Sequence, residues 1–433
     1  MMNTVGVVSL GCSKNRVDTE YLLSYLTDAG FVVVPRAEEA DIIIVNTCGF
    51  ITPAKQESID TILEMAQYKN TASCSLLVVT GCLSQRYPDD LKKELPEVDV
   101  FWGVKDYRAL AKKLAAMAGK DSYNTRDFAS RVLTTPRYSA YLRIADGCDN
   151  RCTYCAIPLI RGAKQSVPMD KLLEEARALV KNGVVELTAI AQDTSAYGID
   201  LCGRPMLKEL LGELSQIDGL SWLRVLYSYP NTVDEALVDA MLQNEKIVPY
   251  LDIPIQHISP SMLLAMNRHG TRSHIEHMLR YIRTASPDFI LRTTVMVGFP
   301  GETEDDFQQL YDFIGEHEFD RLGAFVFSPE DGTPAAEFSA QVDEDTAKKR
   351  LDAIMKLQQE VSLKRNRTRV GKTYRVLTER MEGKTGFGRS YAEAPEVDGA
   401  ISFPISGTPP REGEFVQVRI TGASHYDLQG EQV

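Results

Sequence analysis

Short, nearly continuous apolar runs rich in β-branched residues alternate along this chain with stretches of helical period. That rhythm restricts the fold more than any other feature. Three runs come early, at Val5–Leu10, Asp41–Val45 and Leu76–Val79, with helical patterns over Val17–Ala29 and Ala54–Tyr68 between them. Such a strand has no face to offer water, so it belongs in a parallel sheet covered by helices on both sides. Residues 1–130 are therefore expected to form a parallel α/β domain. The rhythm resumes at Tyr138. Candidate strands are Tyr141–Ala145, Glu186–Ala191, Trp222–Tyr227, Tyr250–Ile253, Leu291–Val297 and Gly323–Phe327, with helices such as Met169–Lys181 and Thr303–Glu316 among them. Six successive βα units predict a partial (β/α)6 barrel over residues 138–366, with its chemistry on loops at the strand C-termini.

Between these two parts, Asp121–Arg137 is polar and irregular and reads as a linker. Asp343–Arg367 reads as a long charged helix. After it, Tyr374–Thr378, Gly399–Phe403 and Phe415–Ile420 are short β-rich runs set between Gly and Pro turns. They predict a small β-barrel over residues 368–433. From Thr368 onward there are eight Lys/Arg and nine Asp/Glu, and the net charge of the whole chain is −12. Nucleic-acid binders carry a basic excess, so the balance argues against RNA as the main partner and favours a basic protein. No stretch approaches the ~20 apolar residues of a membrane span. The opening MMNTVGVVSLGC has neither a basic flank nor a long apolar run, so the cytoplasm is the expected compartment. There, the eight cysteines are ligands or catalytic groups rather than disulfides.

Cys148-Asp-Asn-Arg-Cys152-Thr-Tyr-Cys155 follows directly after the first barrel strand. Three thiolates this close can hold three irons of a 4Fe–4S cluster and leave the fourth iron open. An open iron can chelate the amino and carboxylate groups of S-adenosylmethionine (SAM), whose sulfonium one electron then cleaves. The alternatives are incidental cysteines or a structural zinc. Zinc usually takes four ligands, often as two CxxC pairs, and no partner pair is near.

A second constellation is spread out. Cys12, Cys48 and Cys82 each follow one of the first three strands. In a parallel sheet all strand C-termini share one edge, so these cysteines converge there and could hold a second cluster. Gly11 and Gly81 precede two of them and permit tight turns. The alternative is three small buried residues at strand ends. Cys74 precedes its strand, about 20–25 Å from the edge, and is not expected to be a ligand. Cys202 is isolated in a polar loop and is not expected to be one either.

The chain resembles the methylthiotransferases along its whole length, and the RimO type in particular. The motifs that carry the likeness are SLGCSKNRVDTE (Ser9–Glu20), NTCGFI (Asn46–Ile51), GCLSQRY (Gly81–Tyr87), DGCDNRCTYCAIPLIRG (Asp146–Gly162), AQDTSAYG (Ala191–Gly198), LDIPIQHIS (Leu251–Ser259), RTTVMVGFPGET (Arg292–Thr303) and YDLQGE (Tyr426–Glu431). The resemblance implies an N-terminal cluster domain, a central radical-SAM domain and a C-terminal TRAM domain. It implies that Cys148, Cys152 and Cys155 hold the SAM cluster, and that Cys12, Cys48 and Cys82 hold an auxiliary 4Fe–4S cluster carrying the sulfur. The implied reaction uses two SAM to place a methylthio group on an aspartate of small-subunit ribosomal protein S-twelve, with an electron donor as further partner. The nearest alternative is the MiaB type, which modifies an adenosine of transfer RNA; DIPIQH, QDTSAYG and the acidic charge favour the protein substrate. Ser13 stands where the family commonly has Pro, Arg16 is unusual at its place, and Val167 stands where it often has Arg.

For SAM contacts the resemblance points to Gln192 and Asp193 at the end of the second barrel strand. Arg292 begins the fifth strand and Gly298 opens a Gly-Phe-Pro-Gly turn at its end; the turn could approach adenine by backbone or be a plain turn. Asp252, Gln256 and His257 could meet a substrate carboxylate or the SAM ribose, or His257 could be a satisfied buried group.

Overall fold

The structure is a computed structural model that describes residues 2–120 and 131–433. Its first unit is a parallel sheet of Thr4–Ser9 (β1), Val32–Val33 (β2), Ile42–Thr47 (β3), Leu76–Gly81 (β4) and Val100–Phe101 (β5), in the order β2-β1-β3-β4-β5. Every residue of β3 and β4 is buried, as near-continuous apolar strands in a doubly covered sheet must be. The two edge strands have two residues each, too short to leave a run in the sequence.

The chain then forms Ser139–Arg143 (β6), a small antiparallel pair of Ala145–Asp146 (β7) and Gln165–Ser166 (β8), and five further strands. These are Glu186–Ile190 (β9), Trp222–Val225 (β10), Ile247–Asp252 (β11), Ile290–Val297 (β12) and Arg321–Val326 (β13). The sheet order β13-β12-β11-β10-β9-β6 follows the chain, so each crossover steps the same way and the six-stranded sheet stays open. This is the expected partial (β/α)6 barrel. Its core includes Leu142, Leu187, Leu223, Leu251 and Val295, all fully buried. The helix Glu344–Arg367 then leads to the last unit, capped by the Asp343 side chain.

That unit is a closed barrel of Thr373–Glu382 (β14), Thr385–Arg389 (β15), Ile401–Pro404 (β16), Phe415–Ala423 (β17) and Leu428–Gln432 (β18). Among the described residues no helix is long and apolar enough to cross a membrane.

Charged residues tie the three units together. Fully buried Glu186 on β9 receives Arg389 of the barrel at 2.6 Å and Arg224 of β10 at 3.2 Å. Arg16, the unusual residue of the first motif, reaches Glu396 of the last unit, and Tyr141 donates to the same carboxylate at 3.0 Å. On another side Glu330 receives Arg86 at 2.7 Å and Lys55 at 2.9 Å, while Tyr87 donates to Asp331 at 2.8 Å. Residues 121–130 of the expected linker lie outside the described residues. Its remainder has no helix or strand, and within it Arg131 is buried between Glu20, at 2.9 Å, and Glu175, at 2.6 Å, because carboxylates from two units meet there.

Arg389 and Arg224 hold the Glu186 carboxylate down at about 2 against the cost of its burial. Its contribution to stability is therefore complete above the ordinary glutamate range and is lost as pH falls toward about 2. Glu186→Gln leaves buried Arg224 without its counter-charge and Arg389 with Glu379 alone, at 2.8 Å, and is expected to cost about 3–5 kcal/mol. Urea unfolding followed by tryptophan emission checks this, because Trp222 packs edge-on against Phe415 of the barrel with ring centroids 4.8 Å apart. An unchanged midpoint would contradict it.

Candidate functional site

One cavity of about 460 Å³ opens where the C-terminal strand edges of the first two units face each other. Cys12, Cys48, Cys82, Cys148, Cys152 and Cys155 all line it. Cys74 does not; it is buried in the core behind the sheet, and its thiol faces the Leu76 carbonyl at 3.6 Å. Cys202 does not either, and stands exposed at the end of a short helix.

The first triad is built by strand ends. Cys12 caps the helix Ser13–Asp28 after β1, Cys48 directly follows β3, and Cys82 opens the helix Cys82–Arg86 after β4. These strands are neighbours in register, with Ser9 beside Asn46 and Thr47 beside Gly81. Gly11 and Gly81 have φ of +84° and +101°. A Cβ on Gly11 would stand 2.9 Å from Cys48 Cβ, and one on Gly81 would stand 2.3 Å from Asn46 Oδ1. Any side chain there would push the turns apart.

The second triad sits on the loop between β7 and the helix Ile157–Arg161. The Cys148 amide donates to the Gly162 carbonyl at 3.1 Å, and the Cys155 amide to the Cys152 carbonyl at 3.0 Å. Arg151, between them, holds φ of +49°.

Two residues that the sequence reading left without a role join the triads. Arg161 donates to Asp18 at 2.7 Å, to Asp146 at 3.2 Å and to Asn15 Oδ1 at 2.6 Å, and its Nη2 lies 3.5 Å from Cys82 Sγ. Asn15 also donates to the Thr47 carbonyl at 2.9 Å. Both stand within quoted motifs, but only the assembled units reveal that they meet.

Burial dominates the thiol chemistry. It pushes Cys82 up to about 11 and Cys155 up to about 12, and raises Cys48 and Cys148 as well. These sulfurs stay protonated near neutral pH unless a metal cation takes the proton's place, which is the behaviour of a ligand set. Among the described residues no three His, Cys, Asp or Glu converge as on a single ion. A cubane takes one thiolate per corner iron and asks for a wider spacing.

Of the other expected residues, Gln192 lines the cavity. Its amide nitrogen donates to Asp146 at 2.9 Å, while its Oε1 is buried with no partner among the described residues. Asp193 lies behind, accepting from Asn150, a lining residue, at 2.8 Å. Arg292 is outside the lining and pairs with Asp252 at 3.2 Å. Gly298 is outside it too, at φ of +71°, where a Cβ would stand 2.6 Å from Ala347 Cβ of the long helix. Gln256 lines the cavity with φ of +66° and a buried, unpartnered Oε1. His257 turns away and is fully buried: its Nδ1 accepts from the Ile258 and Ser259 amides at 2.9 and 3.0 Å, and its Nε2 faces Glu302. Tyr227, another lining residue, has φ of +63°. Left-handed backbone at non-glycine residues costs about 1–3 kcal/mol each and persists where the surroundings enforce it.

The orphaned amide oxygens, the protonated thiols and the apolar walls of Phe50, Tyr154, Ile157, Ile160 and Phe325 fit a site that holds iron–sulfur clusters and a small polar cofactor.

Comparison with known proteins agrees with this architecture. Residues 4–103 match the Uncharacterized protein family UPF0004, residues 142–314 the Radical SAM superfamily, and residues 370–433 the TRAM domain. Two solved structures share the fold. One is TsrM of Kitasatospora setae, a radical S-adenosylmethionine methyltransferase with cobalamin and a 4Fe–4S cluster bound, at TM-score 0.57 and 17% identity over 77% of each chain. The other is OxsB, a cobalamin-dependent S-adenosylmethionine radical enzyme, at 0.53 and 14% over 82% of this chain and 56% of that one. The sequence likeness is far stronger to the ribosomal protein uS12 methylthiotransferases RimO. That of Caldicellulosiruptor saccharolyticus is 48% identical over 100% of both chains, and that of Acetivibrio thermocellus 46% identical over 100% of this chain and 99% of the relative. That of Clostridioides difficile is 46% identical over 99% of each. With both cysteine triads in one cavity and these relatives spanning it from end to end, the chain belongs to the RimO family of methylthiotransferases.

Proposed function

We propose that this chain adds a methylthio group to the β-carbon of an aspartate in ribosomal protein uS12, using two SAM per turnover. The observation that carries the reading is that both triads line the same cavity. Cys148, Cys152 and Cys155 would hold one 4Fe–4S cluster with an iron open to SAM; Cys12, Cys48 and Cys82 would hold the second. When bound, these groups supply one-electron cleavage of SAM, removal of hydrogen from an unactivated carbon, and the sulfur to be transferred.

The chain's own residues position and enclose. Gln192 and Gln256 offer unpartnered amide oxygens inside the cavity, suited to accept from an ammonium or hydroxyl of SAM or from a substrate amide. Asp193 acts through Asn150, whose side chain it fixes. Arg292 acts through Asp252, which accepts from the Tyr227 amide at 3.1 Å and so holds that residue at the cavity wall. Gly298 lets its turn pack closely on the long helix. The aromatic and aliphatic walls exclude water from a reactive carbon centre.

An external electron donor is the further partner, and the cytoplasm, where the small ribosomal subunit lies, is the compartment. The curated relatives' names favour the protein substrate over the adenosine of transfer RNA.

The test is anaerobically reconstituted enzyme with SAM, a reductant and a peptide of the ribosomal-protein loop. Mass spectrometry is expected to find one methylthio group on the aspartate. Modification of a transfer-RNA adenosine, with the peptide untouched, would overturn the reading.

A further inference from the structure

The cavity is basic inside an acidic chain. Among the described residues its charged lining is Lys14, Arg161 and Arg268, with no Asp or Glu. Two of these cations are already engaged. Arg161 is held by Asp18 and Asp146. Arg268 donates to the Tyr154 hydroxyl at 3.2 Å and to the Pro254 carbonyl, and lies over the Tyr229 ring.

Lys14 differs. It is only 8% exposed, and its Nζ stands 3.2 Å from the centroid of the Tyr227 ring. Among the described residues it has no hydrogen-bond acceptor and no carboxylate partner. Asp252 is near enough to feel its charge but is committed to Arg292 and the Tyr227 amide. The platform beneath it is fixed in turn, since Tyr227 holds a left-handed backbone and its hydroxyl lies 3.5 Å from Ser13 Oγ. A ring face compensates only part of the hydration that a buried ammonium gives up. An anion entering the cavity would find this ammonium without a carboxylate partner among the described residues.

We propose that Lys14 recognises the carboxylate of the substrate aspartate and so selects an acidic side chain over its amide. The inference rests on the function proposed above and deepens it. The carbon to be modified is bonded directly to the carboxyl carbon, so an ion pair that fixes the carboxylate also fixes the reacting carbon. Two other anions compete for the assignment: an iron–sulfur cluster on Cys12, two positions away, and the carboxylate of SAM itself.

The experiment uses the full-length reconstituted holoenzyme with two peptides, one carrying the aspartate and one carrying asparagine in its place. Wild type is expected to prefer the aspartate peptide by about a hundredfold in kcat/KM. Lys14→Met is expected to lose about a hundredfold on the aspartate peptide, mainly in KM, and to bring the two peptides within a few-fold of each other. Its iron content, visible spectrum and SAM cleavage should match wild type. Lys14→Arg should restore part of the preference. A preference retained in Lys14→Met overturns the inference. Loss of iron in that variant also overturns it, by giving the charge to the cluster. So does a raised KM for SAM with the peptide preference intact. If wild type cleaves SAM yet modifies neither peptide, the proposed function itself fails, a result separate from all of these.

Discussion

A chain in which Cys148, Cys152 and Cys155 are all replaced by Ala is expected to retain about four of about eight irons and to lose SAM cleavage entirely. The three sulfurs share one short loop, and the other cysteines that line the cavity, Cys12, Cys48 and Cys82, belong to the opposite unit. Among the described residues that line the cavity, the barrel side has no other cysteine to take over. The residues Gln192 and Gln256 would remain, but amide oxygens do not replace thiolates on iron. Iron analysis and chromatography of 5′-deoxyadenosine measure the two effects on one sample. Full iron retention would place the ligands elsewhere.

The complementary variant, with Cys12, Cys48 and Cys82 replaced by Ala, is expected to separate two activities. Thiolation of the peptide should vanish, while part of the SAM cleavage survives. The reason is the division of the cavity wall between two sheets. The strand ends of β1, β3 and β4 support the first triad, and the loop after β7 supports the second, with its own backbone hydrogen bonds. Removing sulfurs from the first leaves the second intact. An acid–base route offers no substitute, because the carbon beside a carboxylate has no proton that a side chain tuned near neutral pH could take. If the variant still thiolates the peptide, the sulfur does not pass through these cysteines.

The parallel sheets were legible because β3 and β4 are almost wholly apolar and the six barrel strands recur with helices between them. The strands that escaped reading have physical reasons to do so. β2 and β5 are two-residue edges, while β15, TGFGR, and β18, LQGEQ, are glycine-bearing and polar, so neither shows an apolar run. Cys12, Cys48 and Cys82 were legible because strand direction carries each to one sheet edge, and Cys148, Cys152 and Cys155 because they stand close together in one short motif. The side chains that join the triads were not. Arg161 and Asn15 meet across 146 positions, and Lys14 lies on Tyr227, far along the chain, so no local pattern reports either contact. The burial of Arg131 was not legible for the same reason, since a charged residue in a polar stretch gives no sign that carboxylates from two units will bury it.

Each sheet determines how its own three sulfurs are arranged, but neither determines how far one trio stands from the other. That distance belongs to the joint between the units, where Glu330 grips Arg86 and Lys55 and Asp18 grips Arg161. The gap is thus a machined tolerance, written partly in the Glu330 ion pairs, which stand outside the cavity lining. A substitution at Glu330 would alter the width of the jaws while leaving every tooth in place.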